Sequence, residues 1–515
     1  MLSVTEKKKV GGVLLLFHCP IAATPPFIQE HIDSFKMYSK FEVWAVNTEL
    51  GFPGGLEYFD FQVIVFSYTL FAANPFYLGR DFLEYVQSSQ AYKIAFFQDE
   101  YRFWPERSGF INSCRIDCVY TCLEPAYFNQ TYRSRTSAGR IRQYLPGYVS
   151  SRQVKEGLRH VAADSDREID IGYRGRPTFF WMGKGAREKT VIGKKFQVRA
   201  ADLGLVLDID AREEKRIYGD DWLKFLGNCR AVLGVEAGVS IFDLDNEMMP
   251  QYETIVAERP DITFEEISEL LLDRYEDKGV YYRTVSPRVF EAASVRTCQI
   301  LFEGRYSGII LPNVHYIPLK KDLSNFDEVI RQFRDPGVRQ LLTDNAYRDL
   351  IESGAYSYEA FIKEFDQDLL EFGVLPEDNL PETKNVVGLL IYEYEYRRVL
   401  EIAEIGEEKY RDTLRQYVGL QYQYMDQQQQ LADLMGHHVS LQQDYVSLQQ
   451  DYMDQQQQLT NLIRRSMTPW RQFFYLRYCI FRGAGLRGLR KMKSVLLNRL
   501  GGLRRKIKAI LDTDK

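Results

Sequence analysis

Val285-Ser-Pro-Arg-Val-Phe-Glu-Ala-Ala-Ser-Val-Arg-Thr-Cys-Gln-Ile-Leu-Phe-Glu303 reads as a short helix running into a buried strand. The helix spans Pro287 to Ser294 and the strand Cys298 to Phe302. Proline at a first helical position loses nothing, because the N–H it lacks would have no intrahelical partner, and Ser286 is placed to cap. Glu291 lies on the helix, and Gln299 follows eight residues later in the strand. A helix feeding an apolar strand is a unit of an α/β domain.

Working outward, the same unit recurs. Val13 to Phe17, Phe41 to Val46, Val63 to Ser67, Lys93 to Gln98 and Cys118 to Thr121 are short apolar runs. Helical stretches such as Phe27 to Tyr38 and Gly79 to Ser88 separate them. Apolar strands alternating with helices predict a parallel sheet covered on both faces. Leu145 to Val149 reads as the strand that leaves this first domain, residues 1–149. A polar stretch, Ser150 to Glu168, precedes a second α/β series, residues 150–400, opening at Ile169 to Arg176. Its further strands are read at Gly204 to Ile209, Arg230 to Val235 and Ile309 to Leu311. A helix starts near Lys189 and continues through Phe196 to Ala201. Asp327 to Phe333 and Val338 to Ile351 read as helices, and residues 246–277 as a Glu-rich helical insertion.

From Leu420 the period becomes seven. Leu420, Gln427, Leu434, Leu441, Leu448, Gln455 and Leu462 share one heptad position. Tyr424, Leu431, His438, Tyr445, Tyr452 and Leu459 share another. The repeat predicts a coiled coil over 416–463 that pairs copies of the chain, or else a solvated Gln-rich helix used as a spacer. Residues 464–515 hold fifteen Lys or Arg against Asp512 and Asp514, a net +13. Leu486, Leu489, Met492, Leu496, Leu500, Leu503, Ile507 and Ile510 recur there at steps of three and four. This is a basic amphipathic helix suited to an anionic membrane surface, softened at Gly501-Gly502.

A 515-residue chain exceeds one ordinary core. The net charge of −5 leaves −18 for the residues before the tail, which argues against nucleic acid as a partner of the body. Seven cysteines form no disulfide framework and fit a reducing compartment. Cys114, Cys118 and Cys122 recur at steps of four, but they fall on a buried strand without a histidine-rich partner, so no metal is expected. Lys7 to Phe17 imitates a signal peptide. Its apolar core is short, and a first buried strand is the better reading. No run of eighteen apolar residues predicts a spanning helix.

Arg288, Phe290, Glu291, Ala292 and Ala293 resemble the donor-sugar stretch of GT-B glycosyltransferases. There, a carboxylate meets the hydroxyls of a nucleotide sugar. Gln299 stands where many relatives carry a second Glu, and Val295-Arg296 replaces the usual Cys-Gly. Gly234-Val-Glu-Ala-Gly-Val-Ser-Ile-Phe-Asp243 resembles a loop of bacterial glycosyltransferases of the spore-maturation type, in the large group-one superfamily. The resemblance implies two Rossmann-like halves facing a cleft, with ligands outside the carboxyl ends of the strands. It implies a nucleotide-sugar donor as substrate, no cofactor, and a glycan or lipid-linked acceptor in cell-surface polysaccharide synthesis. It further implies diphosphate neutralisation by Arg174, Arg176 and Lys184. Glu236 would orient a sugar hydroxyl, Ser240 would bond phosphate or base, small residues such as Gly238 would let backbone amides approach the nucleotide, and Asp243 would join the donor-binding set. Arg288 and Glu291 complete this donor set. Asp99 and Glu100 follow a buried strand of the first half and, with His18, are the candidate bases for the acceptor hydroxyl.

With the tail, this places a glycosyltransferase in the cytoplasm, peripheral at the inner face of the plasma membrane. The alternative is a noncatalytic GT-B-like scaffold assembling partners through coiled coil and tail, which Gln299 favours. A nicotinamide-dependent oxidoreductase lacks G-x-G-x-x-G after either first strand, since Val10-Gly-Gly-Val13 is read as preceding its strand.

Overall fold

The computed structural model describes residues 7–20, 26–276, 279–377, 379 and 381–405. The readings of coiled coil and basic tail lie outside the described residues. The first part of the chain contains β1 (Lys8–Phe17), α1 (Pro26–Tyr38), β2 (Val43–Asn47), β3 (Phe59–Phe66) and α2 (Arg80–Ser88). It continues through β4 (Tyr92–Phe97), α3 (Trp104–Cys114), β5 (Cys118–Thr121) and β6 (Arg140–Gln143). These strands form one six-stranded sheet in the order β2-β1-β3-β4-β5-β6. All its pairings are parallel, with Leu14 beside Trp44 and Ile64, and Ile94 beside Cys118.

The second part contains α4 (Ser151–Arg159), β7 (Ile169–Arg174), α5 (Gly183–Ala200), β8 (Leu207–Asp210), α6 (Asp220–Gly227) and β9 (Cys229–Gly234). A hairpin of β10 (Ala237–Val239) and β11 (Tyr282–Thr284) brackets α7 (Met248–Glu258) and α8 (Phe264–Leu270). Then come α9 (Pro287–Ser294), β12 (Cys298–Phe302), β13 (Ile317–Leu319), α10 (Phe326–Arg334) and α11 (Pro336–Tyr347). The second sheet is also all parallel, in the order β13-β12-β9-β7-β8. The protein is therefore a mixed α/β chain built on two parallel sheets.

Parallel strands buried on both faces explain the near-continuous apolar runs. Val13 to Leu16 and Val63 to Phe66 are all at most 1% exposed. The helix and strand of the opening stretch lie at the predicted residues, although no Ser286 side-chain bond caps the helix. Several expectations are corrected. Val10-Gly-Gly-Val13 lies inside β1 instead of before it, at a register shift against β3. A Cβ on Gly12 would stand 2.5 Å from the Glu42 carbonyl oxygen, so only glycine fits. Leu145 to Val149 is no strand; Val149 makes only an isolated bridge to Ser357. The polar stretch 150–168 contains α4, whose Ser150 hydroxyl accepts the Gln153 N–H. Ile309 to Leu311 is a bend and not a strand, and the strand of that region is β13.

The last two helices pack away from the sheet they follow in sequence. α12 (Tyr358–Glu371) and α13 (Pro381–Ile405) follow the second sheet in sequence but pack on the first. Phe361, Phe365 and Leu369 join the same core as Phe35, Phe96 and Tyr120. Within the expected unit 150–400, these two helices, like Trp181 and Phe242, pack into the core of the first sheet. No described helix is long and apolar enough to cross a membrane.

Candidate functional site

Loops from the carboxyl ends of the two sheets meet. The loop after β4 touches the loop after β7 through Tyr101 and Trp181, whose rings are 6.1 Å apart. Trp104 and Tyr101 also reach Phe242 and Tyr282 at 5.7 and 5.3 Å. Glu124, after β5, pairs with Arg305, after β12, at 3.4 Å. The strand polarity of both sheets therefore delivers their chemistry-bearing ends to one place.

Three cations converge there. Arg176 is exposed in the loop after β7. Lys189 projects from α5, and burial together with Arg176, Arg283 and Arg288 pushes its ammonium down to about 8, with Asp99 opposing. Arg288 stands in the first turn of α9, its guanidinium 5.1 Å from the Trp222 ring and its Nη1 donating to the Arg174 carbonyl. Among the described residues none of the three forms an ion pair. Like-charged groups held together with none of them in an ion pair suit an anion, because each neighbour raises the cost of leaving the others uncompensated, although Asp99 offsets part of that charge.

One turn along α9, Glu291 accepts the Trp222 indole N–H at 2.7 Å. Burial raises its pKa; the Trp222 bond and Arg288 oppose that, and Glu30 of α1 adds to it. The i, i+3 spacing of Arg288 and Glu291 places cation and carboxylate on one helix face. Arg152 of α4 joins this edge to the first sheet by pairing with Glu30, and it lies 3.6 Å from Asp220. Gln299 is 2% exposed and donates to the Val289 carbonyl at 3.2 Å. It ties α9 to β12.

The remaining donor candidates serve the scaffold. Arg174 is buried and donates to the carbonyls of Lys215, Tyr173 and Asp208 and to the Asp208 carboxylate. These bonds commit Arg174 to the scaffold at the end of β7, so the phosphate role expected for it is corrected in favour of Arg176, beyond that end, and Lys189. Lys184 pairs with Asp273 at 2.8 Å. Glu236 accepts the backbone N–H groups of Arg305 and Tyr306 and the Tyr281 hydroxyl, which fixes the turn after β12. Ser240 accepts the Gly185 N–H at 2.8 Å, occupying the start of α5. Asp243 accepts from Glu247, Met248 and Met249, and so caps α7. Gly238 has a φ of +90° in the hairpin, where a Cβ would stand 2.1 Å from the Tyr282 carbonyl oxygen. Sequence reading named Lys189 only as part of a helix entry. Its signal was its place one turn or more into the helix after the first strand of the second sheet.

On the facing side, Asp99 is exposed with a φ of 53°. Glu100 is the correction. It is fully buried, bonded to Thr121, Tyr132 and the Cys122 N–H, and its expected place in the cleft is filled by Tyr101 and Tyr282. Burial raises its carboxyl to about 7. His18 follows β1 and stacks on Tyr77 at 3.7 Å, with Nδ1 3.7 Å from Glu49. Burial lowers its pKa, which keeps the imidazole neutral and basic in form. Cys114, Cys118 and Cys122 are all buried, with Cys114 on α3 instead of the strand. Among the described residues no group of three His, Cys, Asp or Glu could hold a metal ion.

No protein-family model and no curated protein matches the chain. Among solved structures it is similar to sucrose-phosphate synthase from Thermosynechococcus elongatus (10% identity, 71% of this chain and 99% of that one, TM-score 0.39). It is likewise similar to Anabaena HepE in complex with UDP and glucose (9% identity, 70% and 100%, TM-score 0.38). A third is TarM (12% identity, 60% and 54%, TM-score 0.31), of whose length this chain covers about half.

Proposed function

We propose that the protein is a GT-B glycosyltransferase that moves a sugar from a nucleotide-sugar donor to a hydroxyl of a glycan or lipid-linked acceptor. The observation that carries this reading is the convergence of Arg176, Lys189 and Arg288, unpaired among the described residues, beside Glu291. A nucleoside diphosphate is the leaving group such a cluster suits. When the anomeric C–O bond breaks, the electron pair leaves on the diphosphate, and fixed cations stabilise that charge without reorganising. Glu291 meets hydroxyls of the donor. The acceptor oxygen bonds the anomeric carbon, and its proton goes to a base on the facing side. Asp99 is the exposed carboxylate there, with neutral His18 the second candidate. Side-chain cations doing this work need no divalent metal.

A scaffold reading drew on Gln299. Its side chain is inside the protein and donates to the Val289 carbonyl, a structural use that an active or an inactive chain would share. The deciding experiment is a thermal-shift and hydrolysis screen with UDP-, GDP- and ADP-sugars. One nucleotide class should raise the melting temperature, and its sugar should be released or transferred. No shift with any of them would leave the reading without support.

The basic segment 464–515 then holds the enzyme on an anionic cytoplasmic leaflet, and 416–463 spaces or dimerises it above the surface. Each Lys or Arg near such a surface contributes about 1 kcal/mol. Full-length protein should float with liposomes in proportion to anionic lipid, and a chain ending at Leu462 should not. Equal flotation of the two would remove this role.

A further inference from the structure

The rim of the cleft carries a feature that donor binding does not use. Phe179, in the loop after β7, is 67% exposed, yet it stacks on Trp181 at 5.9 Å with the rings 14° apart. From the opposite loop, the exposed Arg102 sets its guanidinium 5.3 Å from the Trp181 ring and 4.6 Å from the Phe103 ring. Among the described residues Arg102 makes no ion pair. Phe103 has a φ of 55° and Asp99 a φ of 53°. A bulky residue such as Phe103 in the left-handed region costs energy, which marks this loop as a constrained one.

We infer that Arg102 and Phe179 form the acceptor subsite for an anionic saccharide. This rests on the glycosyl-transfer reading. The two rings take the guanidinium's π-interactions, which leaves its in-plane N–H fork for a ligand. That fork matches a carboxylate or phosphate oxygen pair. Phe179 offers an apolar ring face of the size that the C–H face of a pyranose covers. A lipid chain would need a wider apolar patch than one ring. A sugar bearing a carboxylate or a phosphodiester satisfies both groups at once. Asp99, three residues before Arg102, stands beside it to meet the acceptor hydroxyl.

The test is titration of full-length protein with oligogalacturonate, oligo(glycerol phosphate) and a neutral maltooligosaccharide, with nucleotide-sugar binding measured in parallel. At least one anionic probe should bind about tenfold tighter than the neutral one, the size of a single charge-assisted contact. The first two probes tell carboxylate from phosphate. Arg102→Gln should erase that preference, Arg102→Lys should keep part of it, and Phe179→Ala should weaken every saccharide. Melting temperature and donor affinity should stay unchanged in all three. Equal binding of neutral and anionic probes, binding of none, or a preference that survives Arg102→Gln overturns the subsite. An Arg102-dependent preference without any nucleotide-sugar binding would instead overturn the transferase reading and leave the subsite standing.

Discussion

Lys189→Ala combined with Arg288→Ala is expected to weaken nucleoside diphosphate binding by about a hundredfold or more, since each charge-assisted contact contributes about 1.5–3 kcal/mol. Each single variant should lose about tenfold. The melting temperature should hold or rise, because the cations repel one another when no anion is present. Lys189 adds a pH signature. Its ammonium is held down to about 8, so the site loses a charge as pH rises through that value. Wild-type affinity should therefore fall between neutral and mildly alkaline pH relative to Lys189→Arg, whose guanidinium stays charged. Calorimetric titration with uridine, guanosine and adenosine diphosphates in turn gives both numbers. Wild-type affinity in the double variant would remove the cluster from the donor site.

The largest stability effect is expected at Phe365. Its ring is fully buried on α12, 5.1 Å from Phe35 of α1 and within 6.2 Å of Phe96 and Tyr120 on β4 and β5. Phe365→Ala should cost about 3–5 kcal/mol through lost burial and the cavity left behind. The loss should fall on the first sheet, although Phe365 follows the whole second sheet in sequence. Hydrogen exchange read by segment separates the cases. Faster exchange in β3, β4 and β5, with β7, β9 and β12 unchanged, is the expected pattern. A cost below about 1 kcal/mol, or faster exchange confined to the second sheet, would contradict the packing described above.

The difference between these two experiments reflects what can be read from one chain. Val13–Phe17, Cys118–Thr121 and Cys298–Phe302 announce themselves as strands because a strand covered on both faces must be apolar throughout. The helix at Pro287–Ser294 announces itself through its proline, and the i, i+3 face of Arg288 and Glu291 follows from helical geometry alone. By contrast, α12 shows that it has an apolar stripe but not which sheet buries it. That partner is more than two hundred residues away, and amphipathicity carries no address.

Side-chain direction is the other quantity that local sequence leaves open. Arg174 and Arg176 are two residues apart in one basic run, and the run alone treats them alike. The end of β7 decides between them, sending Arg174 under the sheet to Asp208 and leaving Arg176 on the rim. Glu236, Ser240 and Asp243 look like ligand contacts because turns and ligand loops draw on the same residue types. In the folded chain, backbone N–H groups at the Arg305–Tyr306 turn and the starts of α5 and α7 reach those oxygens first. Lys189 is the converse, an ordinary helical lysine until the fold places it among Arg176, Arg283 and Arg288. Sequence by itself determined two sets of alternating elements, their parallel sheets and the helix face of Arg288 and Glu291, because periodicity and proline act locally. Only the tertiary structure decided which polar groups were already satisfied and which cations were left to meet an anion, because that depends on which chain segment arrives beside them.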